Sequence, residues 1–323
     1  MHEPTFRQAL AHSWALVKQK KSLWIFGLLS AAIGQWGLSD FLGAFYRTAS
    51  NGFYLYGGEP LSNYFSVLSW HKVTLVLLSL WLIGIILLVI FSLIFVAVGA
   101  RGAIISYAIY YYKTGKILAL HDAWNKGIKK FLPLLSITLL ARLLQLVDLG
   151  LFSVLARFIL KSDNLFSSSL LVMVGAVSIL VALLIEASAI YASGYVLLEN
   201  KNVKKSLQKG WSLLSDHLMV SFELGLILVF LNVVFLGVAV YGSFVAFVPS
   251  LIVWIIAGIT GFNGLIIFGM YTGMVLYTAF VLVAAGIFNA FVTCAWVYLF
   301  MKMHHEGIVS RSFIFLKKFF RLS

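Results

Sequence analysis

The sequence predicts an all-α fold, a polytopic membrane helical bundle with about six transmembrane helices. Hydrophobic residues make up 62% of the 323 residues and charged residues only 11%, whereas about 25% of the residues of a soluble domain are charged. Several apolar stretches exceed the roughly 18 residues that cross a bilayer. The clearest are residues 73–100 and 168–198. A soluble fold would leave most of this apolar surface with nothing to bury it.

The composition also limits the partners and the chemistry. A net charge of +13 would indicate nucleic acid in a soluble chain, but cations beside apolar spans are typical of cytoplasmic loops that face anionic headgroups. We therefore expect the lipid bilayer as partner and no nucleic acid. The lone Cys294 excludes an intramolecular disulfide and a multi-cysteine metal site. Since no known catalytic, phosphate-binding or zinc pattern occurs either, we expect no enzyme, cofactor or metal.

Six apolar runs are long enough to be bilayer crossings, namely residues 22–46, 73–100, 131–156, 168–198, 214–242 and 264–300. The second run can continue as helix to Tyr112. The region after residue 242 is ambiguous, because only the glycine-rich residues 258–264 interrupt it, and one crossing or three would fit. We expect one crossing from Gly264, with residues 244–259 as an outer or re-entrant segment. Eight spans are the alternative.

The distribution of positive charge predicts the orientation. Four connecting or terminal segments, residues 1–21, 113–130, 199–213 and 301–323, hold 18 of the 24 lysines and arginines. The opposite side holds only Arg47, Lys72, Arg157 and Lys161. Because positive charge is enriched in cytoplasmic loops, both termini are expected in the cytoplasm, with the chain in the plasma membrane. No linker rich in proline or serine divides it, so residues 1–323 are expected to form one domain.

A basic stretch that contains tryptophan occurs three times, at residues 9–29, 117–135 and 203–222. In each stretch apolar residues repeat every three or four positions, as on one face of a helix, and polar or cationic residues follow on the other face. A small residue precedes each tryptophan: Ser13 before Trp14, Ala123 before Trp124 and Gly210 before Trp211. Such helices suit the inner headgroup plane, and the three tryptophans are predicted to be interfacial anchors.

Each of these stretches leads into a pair of spans, and we call it an entrance helix. The chain is therefore interpreted as three units of entrance helix plus two-span hairpin, residues 5–112, 117–198 and 203–303, with a basic tail at 304–323. The alternative is that any cytoplasmic connector before a span tends to be basic and to contain tryptophan. A signal peptide is not expected at residues 9–29, because the main basic group comes late and no cleavage pattern follows.

Residues 195–228 resemble a pattern found in YciC-like proteins and in the membrane domain attached to some glycerophosphodiester phosphodiesterases. In those families a span ends in an acidic residue, and a short basic turn and an amphipathic helix follow. Here the matching positions are Glu199 for the acidic residue, Ser206 and Gly210 for the small residues, and Leu213 and Leu214 for the apolar ones. The resemblance implies a multi-pass plasma-membrane protein of bacterial type. The catalytic domain of those phosphodiesterases is a separate soluble barrel, so catalysis is not expected to carry over.

Charged residues inside the predicted spans indicate a candidate site. Arg101, Arg142 and Glu186 lie 12 or 13 residues from the inner ends of their spans, a depth of about 18 to 20 Å at 1.5 Å per residue. Glu223 is predicted to be shallower, and Asp148 shares a face of the third span with Arg142. A lone charge at a helix centre costs at least about 2.5 kcal/mol. We therefore expect inward-facing pairs, first of all Arg101 or Arg142 with Glu186.

Two interpretations of this charged layer stay open. A neutral layer of ion pairs would fix the register of the helices, and the two arginines against Glu186 and Glu223 would balance to zero. Alternatively, the charges would line the polar path of a small-molecule transporter or permease. The first interpretation leads to a non-catalytic structural or accessory membrane protein, which is the function that we expect.

Overall fold

The computed structural model describes residues 5–34, 72–160 and 164–306, and they are helical almost throughout. The helices are α1 (Thr5–Gln19), α2 (Ser22–Gly34), α3 (Lys72–Thr114), α4 (Leu120–Lys129), α5 (Phe131–Ile159), α6 (Leu165–Glu199), α7 (Val203–Asp216), α8 (Leu218–Thr260) and α9 (Asn263–Glu306). These residues include no strand. The all-α class is therefore confirmed.

Five of the described helices are long and apolar enough to cross a membrane. The candidate spans are Leu80–Thr114, Phe131–Ile159, Phe166–Glu199, Leu218–Thr260 and Asn263–His305. The first predicted span, residues 22–46, is helical over Ser22–Gly34, and its remainder lies outside the described residues, as do most of the outer loop and the tail from residue 307. The chain thus has the multi-pass architecture that its composition predicts.

Two of the predicted boundaries can be compared with the structure directly. The second span continues as one helix of 43 residues to Thr114, which confirms the extension expected to Tyr112. Residues 244–259, in contrast, do not form a separate outer or re-entrant segment. They continue α8, which runs unbroken for 43 residues with Pro249 inside it. Apolar sequence favours continued helix because lipid offers no other partner for the backbone polar groups.

The break between α8 and α9 lies within the glycine-rich residues 258–264. Gly261 ends α8 in the left-handed conformation, with φ 68°, which glycine adopts without steric cost. Helix α9 then runs for 44 residues. At about 1.5 Å per residue, α8 and α9 are each about 65 Å long, roughly twice the hydrocarbon thickness of a bilayer. The hairpin therefore extends well beyond one bilayer core.

The packed core lies at one end of the bundle, where the basic connectors are. The C-terminal halves of α3, α6 and α9 contact one another there, and they bury Tyr107, Tyr191 and Phe300 almost completely. At the other end, every described position of α3 from 77 to 93 is exposed. We call the packed part the inner half, since it carries the segments predicted to be cytoplasmic.

Each entrance helix lies against the inner half of a long helix. Helix α4 packs on α3, α7 packs on α6, and α1 packs on α9. Each entrance helix thus contacts the second long helix of the preceding unit, and α1 closes the series by contacting the last helix of the chain. The arrangement is cyclic, because the three long helices also contact one another.

Backbone approaches backbone in two of these contacts. A Cβ atom at Gly127 of α4 would lie 2.5 Å from the carbonyl oxygen of Gly99, and one at Gly210 of α7 would lie 2.8 Å from the backbone nitrogen of Ala192. These distances are shorter than any side chain tolerates. Small residues allow helices to approach this closely, which increases van der Waals contact between them.

A second small residue precedes each of these positions by one helical turn. The pairs are Ala123 with Gly127 in α4 and Ser206 with Gly210 in α7, and the corresponding pair in α1 is Ala9 with Ser13. All six residues are buried. Residues four apart lie on one helical face, so each entrance helix presents a narrow small-residue face to its long helix. We call these three pairs the small-residue pairs.

We predict that Gly127→Ala and Gly210→Ala each destabilise the purified protein. A methyl group has no room at either position, and overpacking of this kind costs about 1 to 3 kcal/mol. The measurement is the apparent Tm of each variant in one detergent. Gly150→Ala is the matched control, because a Cβ there meets no atom within 4 Å. Equal Tm values for all three variants would contradict the close contacts.

Candidate functional site

One carboxylate connects three helices in the described bundle. Arg101 of α3 donates a hydrogen bond to Glu186 of α6, and Nη2 of Arg142 of α5 lies 3.3 Å from the other carboxylate oxygen. The side chains of Arg101, Arg142 and Glu186 are 9%, 13% and 22% exposed. Ions this far from water are stable only when they are paired and hydrogen bonded. The structure therefore brings together the three residues that the sequence pairs first.

Gln145 completes this group, which we call the charged cluster. It lies one turn after Arg142 on α5, accepts a hydrogen bond from that guanidinium, and has its amide nitrogen 3.4 Å from Glu186. Sequence reasoning gave Gln145 no role. The spacing of three residues from Arg142 was the available signal, because side chains at that spacing meet on a helix surface.

The charged cluster has more positive than negative charge. Two guanidinium groups surround the single carboxylate, and Nη1 of Arg101 is buried with no hydrogen-bond partner in the described part of the chain. Excess charge of this kind raises the cost of burial. The neutral balance predicted from the sequence required Glu223 beside the arginines.

The structure places Glu223 on α8, at a different level. Ser221, two residues earlier, has its hydroxyl 3.0 Å from that of Tyr191. Tyr191 is five residues closer to the C-terminal end of α6 than Glu186, so Glu223 is nearer the inner end than the charged cluster.

Asp148 makes a second polar contact between α5 and α6. Its carboxylate accepts a hydrogen bond of 2.8 Å from the hydroxyl of Ser178. Asp148 lies six residues beyond Arg142 and Ser178 lies eight before Glu186, so this contact is about 10 Å further from the inner end at 1.5 Å per residue. The same two helices are therefore joined by polar side chains at two levels.

The glycines beside Arg101 give its level in the bundle. Gly99 and Gly102, on either side of Arg101, contact Gly127 of α4. Arg101 therefore lies level with an entrance helix. The prediction counted inward from Lys113 on the assumption that α3 leaves the membrane there. In the structure, α3 continues beyond the level at which α4 packs against it and ends at Thr114.

A basic cavity lies on the inner side of the charged cluster. Its volume is about 360 Å³, and it opens between α4 and the C-terminal ends of α3 and α6. Four lysines line it, together with Ser106, Ile109, Tyr110, Leu197, Leu198 and Asn200; the lysines are Lys113, Lys126, Lys129 and Lys130. Sequence reasoning attributed these lysines to headgroup contacts in general, because it could not place Lys113 beside Lys126, Lys129 and Lys130.

A separate ionic network surrounds Glu199, the acidic residue of the family resemblance. Its carboxylate lies 2.7 Å from Lys201 Nζ and 3.0 Å from Lys209 Nζ, and 3.5 Å from His304 Nε2. The hydrogen bond that Lys201 donates to Glu199 raises the pKa of Lys201 above its ordinary value. The network ties the end of α6 to α7 and α9. The matched positions Ser206, Gly210, Leu213 and Leu214 are all buried.

The three tryptophans do not occupy equivalent places. Aligned on the small-residue pairs, Trp14 and Trp211 each follow the second small residue, whereas Trp124 precedes Gly127 by three residues. Trp14 and Trp211 are 53% and 59% exposed. Trp124 instead stacks on Phe26 of α2, with ring centroids 5.8 Å apart. In α4 the position equivalent to Trp14 is therefore Ile128.

We predict that Glu186→Gln destabilises the folded protein by about 3 kcal/mol, because it leaves two buried arginines without their carboxylate. Unfolding in mixed micelles of increasing sodium dodecyl sulfate fraction measures this free energy. Asp122→Asn, at an exposed carboxylate of α4, is the control and should change the free energy of unfolding little. A Glu186→Gln protein as stable as the parent would contradict a structural role for the pair.

Comparisons with protein-family models, curated proteins and solved structures find no match for this chain. The resemblance of residues 195–228 to YciC-like proteins therefore stays a prediction from those residues.

Proposed function

We propose that the chain is a non-catalytic integral protein of the plasma membrane with a structural or accessory role, its entrance helices lying at the cytoplasmic leaflet. The observation that carries this proposal is the charged cluster, in which one carboxylate holds α3, α5 and α6 together. Ion pairs of this kind restrict the helices to one register. A structural protein needs that restriction, whereas a transporter must break such contacts in each cycle.

The proposal includes three repeated units of entrance helix and two-span hairpin. Its support is the cyclic set of contacts and the small-residue pairs, which recur at corresponding places in α1, α4 and α7. In each unit the first helix of the hairpin also contacts the second helix of the hairpin. Trp14 and Trp211 are proposed as interfacial anchors because their indoles are exposed, and Trp124 is assigned to packing between α2 and α4.

The cytoplasmic placement of the inner half rests on charge. The described parts of the basic segments, residues 5–21, 113–130, 199–213 and 301–306, lie at the packed end of the bundle. Anionic lipids of the cytoplasmic leaflet attract juxtamembrane cations by about 1 kcal/mol per lysine or arginine. The apolar positions 77–93 of α3 lie at the opposite end and are proposed to contact lipid.

A transporter is the second candidate function. The observation in its favour is Nη1 of Arg101, a buried guanidinium nitrogen that has no hydrogen-bond partner among the described residues and could receive an anion in transit. This reading requires water to reach the charged cluster from one side of the membrane. The structural reading requires the charged cluster to stay closed.

We predict that a cysteine in the charged cluster does not react with a membrane-impermeant thiosulfonate. Gln145→Cys is made in a Cys294→Ser background, where no other cysteine is present, and labelling is followed from both faces of sealed vesicles. Asn263→Cys, at the exposed first residue of α9, is the reactive control. Rapid labelling of Gln145→Cys from either face would overturn the structural role in favour of transport.

We also predict opposite labelling of the two ends of the bundle. In the same background, Lys18→Cys and Lys116→Cys should be protected from an impermeant maleimide in intact cells and should react after permeabilisation. Asn263→Cys should react in intact cells. Labelling of Lys116→Cys from outside would contradict the cytoplasmic placement, because that residue lies in the connector between α3 and α4.

A further inference from the structure

We infer that the basic cavity between α3, α4 and α6 binds a phosphate group, carried either by an anionic lipid headgroup or by a soluble phosphate ester. The inference deepens the proposed function, on which it rests for the placement of the cavity at the cytoplasmic leaflet. The general attraction of lysines to anionic lipid does not require a cavity, and this site would be a specific one.

The charge of the cavity favours an anion. Its lining holds four lysines and no carboxylate. Across the described ranges, no carboxylate forms an ion pair with any of the four. Glu199, adjacent to the lining residue Asn200, is already engaged by Lys201 and Lys209. Four ammonium groups around one space repel one another, and a bound anion would relieve that repulsion.

The cavity wall offers a hydrogen-bonding group that has no partner. Ser106 is only 5% exposed, and its hydroxyl is buried without a hydrogen bond to any residue that the structure describes. A buried hydroxyl of this kind costs free energy until it is satisfied. It lies on α3 between Arg101 and Lys113, on the wall that the lysines of α4 face. A phosphate oxygen could accept a hydrogen bond from this hydroxyl.

The remaining lining suits an ester and its apolar substituent. Ile109, Leu197 and Leu198 supply apolar wall beside the lysines, and Nζ of Lys126 lies 5.5 Å from the centroid of the Tyr110 ring, a cation–π contact that holds the lysine at the site. The volume of about 360 Å³ is at the small end of ligand pockets. It accommodates one headgroup and no polymer.

The chemistry of the cations favours phosphate over a metal or a neutral ligand. Lysine binds phosphate as a compact point charge with three donors. The charge is assembled from two separate parts of the sequence. One is Lys113 at the end of α3, and the other is Lys126, Lys129 and Lys130, at the end of α4 and directly after it. Contact of Gly127 with α3 brings these parts together, so the site depends on that packing.

The test measures binding to the full chain purified in a non-ionic detergent. Isothermal titration calorimetry is performed with three probes: dioctanoyl phosphatidylglycerol, dioctanoyl phosphatidylcholine and inorganic phosphate. The parent protein should bind phosphatidylglycerol in preference to the zwitterionic lipid. Lys126→Gln with Lys130→Gln should weaken this binding at least tenfold. The matched control is Lys204→Gln with Lys205→Gln, which removes equal charge from exposed positions of α7 outside the cavity and should leave the affinity within twofold.

The outcomes separate the two sources of the phosphate. Binding of phosphatidylglycerol with no competition by inorganic phosphate supports a lipid headgroup, and binding or competition by inorganic phosphate supports a soluble ester. Equal weakening by both lysine pairs, or equal binding of both lipids, would overturn the site. Ser106→Ala provides a test that removes no charge and should weaken binding about threefold, the effect of one hydrogen bond.

Ser106→Ala also decides the question if the double lysine variant does not fold, and no change in affinity for this variant would then overturn the site. Size-exclusion profiles and Tm report the folding of every variant. Binding in detergent does not depend on membrane orientation or on water access to Gln145. Failure of the proposed function and failure of this site therefore give different results.

Discussion

The close backbone contact that two entrance helices, α4 and α7, make with a long helix is the constraint on which the remaining structure depends. Inside a bilayer, helices gain little from hydrophobic burial against one another, because lipid tails are equally apolar. They associate where small residues allow close van der Waals contact. Gly127 of α4 packs against α3 and Gly210 of α7 packs against α6, and both provide such contacts. Both contacts lie in the inner half. The packed core is found there for the same reason.

The charged cluster is built on the same stretches of backbone. Arg101 lies between Gly99 and Gly102, which contact α4, and Glu186 lies two residues before Ser188, whose carbonyl oxygen approaches Gly210. The packing that fixes α4 and α7 therefore also fixes the levels of the two ions that pair between α3 and α6. The basic cavity follows from the first of these contacts, since it places the lysines of α4 beside Lys113. A loss of the glycine contacts would therefore affect the packing of the entrance helices, the charged cluster and the basic cavity together.

The sequence predicts the parts of this structure that depend on local pattern. Uninterrupted apolar runs indicate long helices, and the pairing of Arg101 with Glu186 follows from the cost of a buried charge. The level of Arg101 in the bundle was less predictable, because the count from Lys113 could not show that α4 packs against residues 99–103. The tryptophan pattern also misled in α4, where Ile128 takes the place of Trp14 and Trp211. Small residues four apart were the better signal, but they are common in spans and acquire meaning only once a partner helix is known.

The most direct test of this account is the distance between the backbones of α3 and α4 in a lipid bilayer. Solid-state NMR of the chain labelled with ¹³C at glycine Cα measures it through a cross-peak between Gly102 and Gly127, assigned by its loss in a Gly127→Ser chain. The account predicts a strong cross-peak at short mixing time, because a Cβ at Gly102 would lie 2.9 Å from Cα of Gly127. Absence of that cross-peak in a chain whose other glycine signals are well resolved would contradict it.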